Sequence, residues 1–183
     1  MATERSKRVL ATDGPVVRTL VHSRHAIADF VALARSQDIE TVVDVRGQPF
    51  SRFNPQFNRD RFAAALAEAG LGYVWEGERL SGRPKDRAFY APDGSVDWAA
   101  LRAWQELSAG IEAVLERART ERIALVCAEE DPLRCHRRFL LTQPLIERGA
   151  EVVHVRGDGR TETEAEVAER EKGPASPQFD LFG

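Results

Sequence analysis

The segment Ile123–Cys127 reads IALVC and is apolar at every position. A strand with one face in water alternates polar and apolar residues. A strand with no polar side must be covered on both faces, as happens in parallel sheets layered by helices. Three further runs are mostly apolar and rich in β-branched residues: Val16–Val21, Thr41–Val45 (TVVDV) and Val152–Val155. Leu71–Trp75 (LGYVW) completes the set. Helical patterns separate them. Ile27, Phe30, Val31, Leu33 and Ala34 recur at helical spacing, Arg59–Ala69 ends at Gly70, and Asp97 stands as a cap before Trp98–Arg119. Pro132–Arg148, closed by Gly149, predicts a last helix that Pro144 should kink or shorten. Strand–helix alternation of this kind predicts one α/β domain with a mostly parallel sheet of about five strands and helices on each side.

A chain of 183 residues supplies one such core without disulfides or metal staples. No apolar run approaches the roughly 20 residues that span a bilayer, and Met1–Gly14 lacks the hydrophobic stretch of a secretion signal. Two cysteines are too few for a disulfide framework, which points to the reducing cytoplasm. The organisation expected is a flexible N-terminus over 1–14, the α/β domain over 15–156, and an acidic disordered tail over 157–183. That tail holds seven acidic and three basic residues, so it carries −4 of the chain's −3 and leaves residues 1–156 at +1. The domain itself is therefore compatible with an anionic ligand.

In a parallel sheet, ligands bind beyond the carboxyl ends of the strands. His22 and Ser23 follow the first strand. Asp44 and Arg46 close the second, Glu76 follows the third, and Cys127, Glu129 and Glu130 follow the fourth. The loops leaving this edge are basic, with Arg46, Arg52, Arg59 and Arg61, then Arg79, Arg83, Lys85 and Arg87. Phe50, Phe53, Asn54, Gln56, Phe57 and Asn58 are interleaved with the first group. Arginines, stackable rings and a few carboxylates together suit a ligand bearing phosphate and base.

Cys127–Arg138 (CAEEDPLRCHRR) is the densest patch. Asp131 before Pro132 is a helix-start signature. Cys135 and His136 then fall in the first helical turns, where backbone dipoles favour an anion and Arg134, Arg137 and Arg138 favour a thiolate. Cys135 as nucleophile, a metal on Cys127, Cys135 and His136, or a phosphate at the helix start are the three readings. The Cys-x5-Arg loop of thiol phosphatases is absent, and the spacing matches no closed zinc pattern. The phosphate reading asks least of the sequence, with Glu129 or Asp44 doing acid–base work, and no metal or cofactor is expected. No glycine fingerprint for a dinucleotide follows the first strand, where the turn reads His22-Ser23-Arg24-His25.

The segments VVDVRGQPFSRFNPQFN (Val42–Asn58), LSGRP (Leu80–Pro84), IALVCAEEDPLRCHRRFL (Ile123–Leu140) and GAEVVHV (Gly149–Val155) resemble the bacterial and archaeal domain-of-unknown-function 488 family. The resemblance runs from about Val16 to Val155. It implies a Rossmann-like three-layer sandwich and leaves the reaction unassigned. The matching positions are Asp44, Arg46, Ser51, Gly82, Arg83, Cys127, Glu129, Asp131, Pro132, Cys135, His136 and Arg137. Two positions depart from the family's pattern. Val21-His22-Ser23 replaces the usual Gly-His-Ser, and Ser81 stands in the usual Leu-Gly-Gly-Arg. Loss of the first glycine restricts close backbone approach of a ligand.

The chain ends PASPQFDLFG, and Gln178, Phe179, Asp180, Leu181 and Phe182 resemble the peptide with which bacterial replication and repair proteins dock on the DNA sliding clamp. Such peptides place two apolar anchors in a preformed groove. The leading expectation is a protein of DNA repair or replication, hydrolase-like if an enzyme, delivered by the clamp and acting on nucleic acid or nucleotides. Asp44, Glu129, Cys135 and His136 are its catalytic candidates. His22, Arg46, Ser51, Arg52, Arg83, Arg134 and Arg137 are its ligand-binding candidates. A non-catalytic nucleotide- or DNA-binding adaptor, and a small-molecule thiol enzyme using Cys135, are the alternatives.

Overall fold

The computed structural model describes residues 14–173. The expected flexible stretch 1–14 lies outside them apart from Gly14, and so does the clamp-like peptide. Five strands run parallel: β1 (Val16–Val21), β2 (Thr41–Asp44), β3 (Gly72–Trp75), β4 (Ile123–Cys127) and β5 (Glu151–Val155). A sixth, β6 (Thr161–Thr163), turns back antiparallel to β5. The order across the sheet is β3-β2-β4-β1-β5-β6.

The sheet separates two apolar layers, and β4 shows why its sequence is apolar throughout. Ile123 and Leu125 join a cluster with Leu107, Ile111, Leu140 and Leu145. Ala124 and Val126 join the opposite cluster with Phe30, Phe62 and Leu66. The second layer is formed by α1 (Ile27–Ser36) and α2 (Arg59–Glu68). The first takes in α3 (Gly77–Leu80), α4 (Trp98–Arg102), α5 (Gln105–Ala118) and α6 (Gln143–Glu147). Successive strand residues point to opposite faces, so a fully buried strand feeds both layers.

The expected helix 98–119 is two helices. Asp97 caps the first by accepting from the amides of Ala99 and Ala100. Trp104 then breaks the run with an extended backbone, and its ring packs 5.3 Å from Phe89. The expected helix 132–148 is broken more thoroughly. Pro132–Arg134 form one 3-10 turn with Asp131 as its cap, and Cys135 is extended. Arg137–Thr142 is π-helical, and only Gln143–Glu147 is α-helical. Pro144 supplies no amide to an α-helical ladder, and the widened turn before it lets the Thr142 hydroxyl donate to the carbonyl of Arg137 at 3.0 Å.

The tail expected to be disordered from 157 is folded as far as 172. After β6, α7 (Glu164–Lys172) begins with a capping box between Thr163 and Glu166. Val167 is its buried anchor. Arginines of the domain collect its acidic groups. Arg138 binds Glu164 and Glu171 at 2.9 and 2.8 Å, Arg156 binds Glu162 at 2.7 Å, and Arg170 of α7 binds Asp131 at 2.9 Å. The negative charge that made this stretch look solvated is its means of docking. No helix among the described residues is long and apolar enough to cross a membrane.

Candidate functional site

The connection after β1 leads to α1 in one layer, and that after β4 leads to the π-helical turn and α6 in the other. Chain paths that diverge in this way open a crevice between the two strand ends, the usual place for a ligand in such a sheet. His22 and Ser23 follow the first of these strand ends, and Cys127–Glu129 stand at the second.

Beside this crevice, Asp44 and Arg46 engage each other. Asp44 is fully buried. Its Oδ1 accepts from the Arg46 amide at 3.1 Å and from Arg46 Nε at 2.8 Å. Its Oδ2 accepts from Arg46 Nη2 at 2.5 Å and from the Tyr73 hydroxyl at 2.8 Å. Burial, reinforced by the Asp44 charge, raises the Tyr73 phenol above its usual range. Arg46 also donates to the carbonyl of Phe57 at 2.9 Å and faces His22 Nε2 at 3.1 Å. A guanidinium only donates, so Nε2 accepts and Nδ1 donates to the Ser23 carbonyl at 3.1 Å. The Phe57 ring stacks on that imidazole at 4.5 Å. With two bonds on each oxygen, Asp44 has no role left as a free base, and Arg46 is not available to a phosphate. The expectation for both is corrected: they build the wall.

Arg137 has the same character. It is buried, and it donates to the carbonyl of Leu20, to the carbonyl of Glu129 at 2.6 Å and to Cys135 Sγ at 3.0 Å. It therefore laces β1 to the loop after β4. Ser51 is also structural, its hydroxyl accepting from the amides of Phe53 and Asn54 at 3.2 and 3.1 Å. Arg52, Arg83 and Arg134 are exposed, and among the described residues their guanidinium groups have no partner. Glu129 is likewise exposed with its carboxylate unpaired, while Glu130 and Asp131 are held by Arg156 and Arg170.

Cys127, Cys135 and His136 do converge. One ligand atom from each lies within 4.8 Å of the others, with Cys127 Sγ 3.6 Å from His136 Nδ1. Cys135 reaches the group because it is extended, and its thiol turns inward to Arg137. The expected anion seat at a helix start is corrected accordingly, since a single 3-10 turn lacks the aligned amides that make one. A hydrogen bond from Cys135, then His136 and the Arg137 charge, hold the Cys127 thiol well below its ordinary range. The same contact and burial push Cys135 up.

Two glycines join the loops of this corner. A Cβ on Gly47 would stand 2.4 Å from Ser81 Oγ, and one on Gly82 would stand 2.4 Å from His136 Cβ. The loop after β2, the Ser81–Arg83 loop and the Cys135–His136 segment therefore meet only because both positions lack side chains. Tyr73 and Gly47 were not singled out from sequence as parts of the site, and Phe57 was read as one of the rings facing a ligand, whereas it is buried against His22. Alternation in LGYVW, which sets Tyr73 on one face of β3, was the available signal. A groove of about 430 Å³ lies beside β3, lined by Trp75, Glu76, Glu78, Arg79, Trp104 and Glu106. It is acidic, with Arg79 already paired to Glu76, and shares no lining residue with the Cys/His corner.

Burial, then the adjoining Arg46 charge, lower the His22 imidazole from its ordinary 6.5 to about 4. The unfolded chain takes up this proton near 6.5 and the folded protein only near 4. The stability is therefore full above pH 6.5 and is lost as pH falls to about 4, by at most about 3 kcal/mol. Urea unfolding of the protein and of His22→Asn checks this. The unaltered protein should lose up to about 3 kcal/mol more between pH 7 and 4, and parallel losses would contradict the buried neutral imidazole.

No curated protein and no solved structure matches the chain. The family described as domain of unknown function DUF488 matches residues 26–143, from the turn before α1 to the start of α6. That span is more than half of the chain and includes the Asp44–Arg46 pair, both joining glycines and the Cys/His corner, and on it the chain belongs to the DUF488 family.

Proposed function

We propose that this protein binds single-stranded nucleic acid or a nucleotide at the carboxyl edge of its sheet, in the manner of Rossmann-like proteins, and acts on it hydrolytically beside the Cys/His corner. One observation carries the reading. Phe50 and Phe53 are 70% and 94% exposed on the loop after β2, with the free Arg52 between them. Two large rings this exposed on one loop form a patch of the kind that marks an interaction surface. Rings interleaved with cations are what a single strand uses, its bases stacking while arginines meet phosphate. The loop is held in place, since the Ser51 hydroxyl closes a turn and its amide binds Asn58 at 2.7 Å. Gly47 brings this loop against Ser81 and Arg83, so Arg52 and Arg83 belong to neighbouring loops.

Glu129 is a free carboxylate beside the Cys/His corner and the natural proton acceptor for a water there, now that Asp44 is committed to Arg46. Recruitment to DNA by the sliding clamp belongs to the same reading. It rests on the Gln178–Phe182 peptide alone, which lies outside the described residues.

Fluorescence anisotropy with a labelled single-stranded oligonucleotide tests the binding. Phe50→Ala and Phe53→Ala should each cost about 1–3 kcal/mol, and Arg52→Ala should lower the slope of log affinity against log salt by about 0.7. Affinity unchanged in all three variants would overturn the reading. A non-catalytic adaptor differs from an enzyme in showing no turnover that Glu129→Gln removes. For the tail, Leu181→Ala with Phe182→Ala should abolish binding to a purified clamp, and no binding by the unaltered chain would end that part of the proposal.

A further inference from the structure

We propose that Cys127, Cys135 and His136 form a binding site for a soft divalent metal ion, zinc by the chemistry of its donors. The three residues come from the end of β4, an extended residue and the start of the π-helical turn, so nothing local forces them together. Their donor atoms nonetheless lie within 4.8 Å of one another. The 3.6 Å between Cys127 Sγ and His136 Nδ1 is the spacing of two donors on one tetrahedral zinc, about 3.6 Å for bonds of about 2.3 and 2.1 Å.

The surroundings are those of a supported ligand set. Cys135 Sγ accepts from Arg137 Nε at 3.0 Å, and Arg137 is itself fixed to the carbonyls of Leu20 and Glu129. Such outer hydrogen bonds fix the direction of a ligand and offset part of its charge. Gly82 lets the Ser81–Arg83 loop close on His136 and holds the ring in place. The imidazole has no competing bond, because Nε2 is buried without a partner among the described residues and Nδ1 meets only Cys127. His22, the other histidine at these strand ends, is engaged through both ring nitrogens and is not a ligand.

Two sulfurs and an imidazole select zinc over magnesium or calcium, which take oxygen donors. Three protein ligands leave the fourth tetrahedral position to water or substrate, the arrangement of catalytic rather than structural zinc. The site would thereby give the edge of the sheet an activated water. The inference stands on the geometry of these three residues and survives or fails independently of nucleic-acid binding.

Titration of the full-length, reduced protein with Co²⁺ tests it. The expected result is a thiolate-to-cobalt charge-transfer band with tetrahedral visible bands, saturating at one equivalent and abolished by one equivalent of Zn²⁺. Cys127→Ala and Cys135→Ala should each remove the band, and His136→Ala should weaken binding by more than about 100-fold, since loss of an outer supporting group alone costs about 10–100-fold. Circular dichroism identifies any variant that fails to fold, and the titration of the unaltered protein stands without them. Absence of the charge-transfer band in the reduced, folded protein would overturn the site, as would a band that persists in Cys135→Ala. Loss of both free thiols to a Cys127–Cys135 disulfide with no metal uptake after reduction would likewise assign the pair to redox chemistry.

Discussion

The carboxylate of Asp44 and the guanidinium of Arg46 are buried together at the end of β2, and much of the functional edge hangs from that pair. Removing two charges from water is expensive, and the interior repays it only when every remaining donor and acceptor is used. Here nearly all are: Asp44 accepts from Tyr73, the Arg46 backbone and the guanidinium, and Arg46 engages four of its five N–H groups through Asp44, the Phe57 carbonyl and His22. The pair ends the strand, ties the loop 47–58 down to the start of α2, and fixes the tautomer of a histidine at the mouth of the crevice. Arg137 repeats the device across β1 and β4 through two carbonyls and a thiol.

The consequence is a division of labour among arginines. Arg46 and Arg137 are inside and hold backbone, whereas Arg52, Arg83 and Arg134 are outside and free to meet a ligand. Rigid walls with unpaired cations at the rim suit the proposed single-stranded ligand, whose bases would stack on Phe50 and Phe53. The two joining glycines then make one site of three distant sequence segments.

Much of this was legible in the residues. The central strand β4 announced itself by lacking polar positions, and Asp97 and Asp131 cap the turns their placement implied. The sheet edge carrying the site followed from chain direction alone. Pairing was harder to see. Asp44 and Arg46 are two apart and so share a face of an extended segment, yet nothing in the sequence said that they would satisfy each other rather than a ligand. Cys135 was misplaced in a helix because Asp131-Pro132 marks a start without fixing how far the helix runs. The segment 161–172 was mistaken for a solvated tail because its partners, Arg138 and Arg156, lie outside it in sequence.

The central claim is that Asp44 and Arg46 organise the site and do not react in it. Urea unfolding of Asp44→Asn, Arg46→Met and the double variant measures this most directly. The account predicts a loss of about 3–5 kcal/mol in each single variant, because each strands a buried partner, and a double variant that loses clearly less than their sum. Single variants within about 0.5 kcal/mol of the unaltered protein would contradict it.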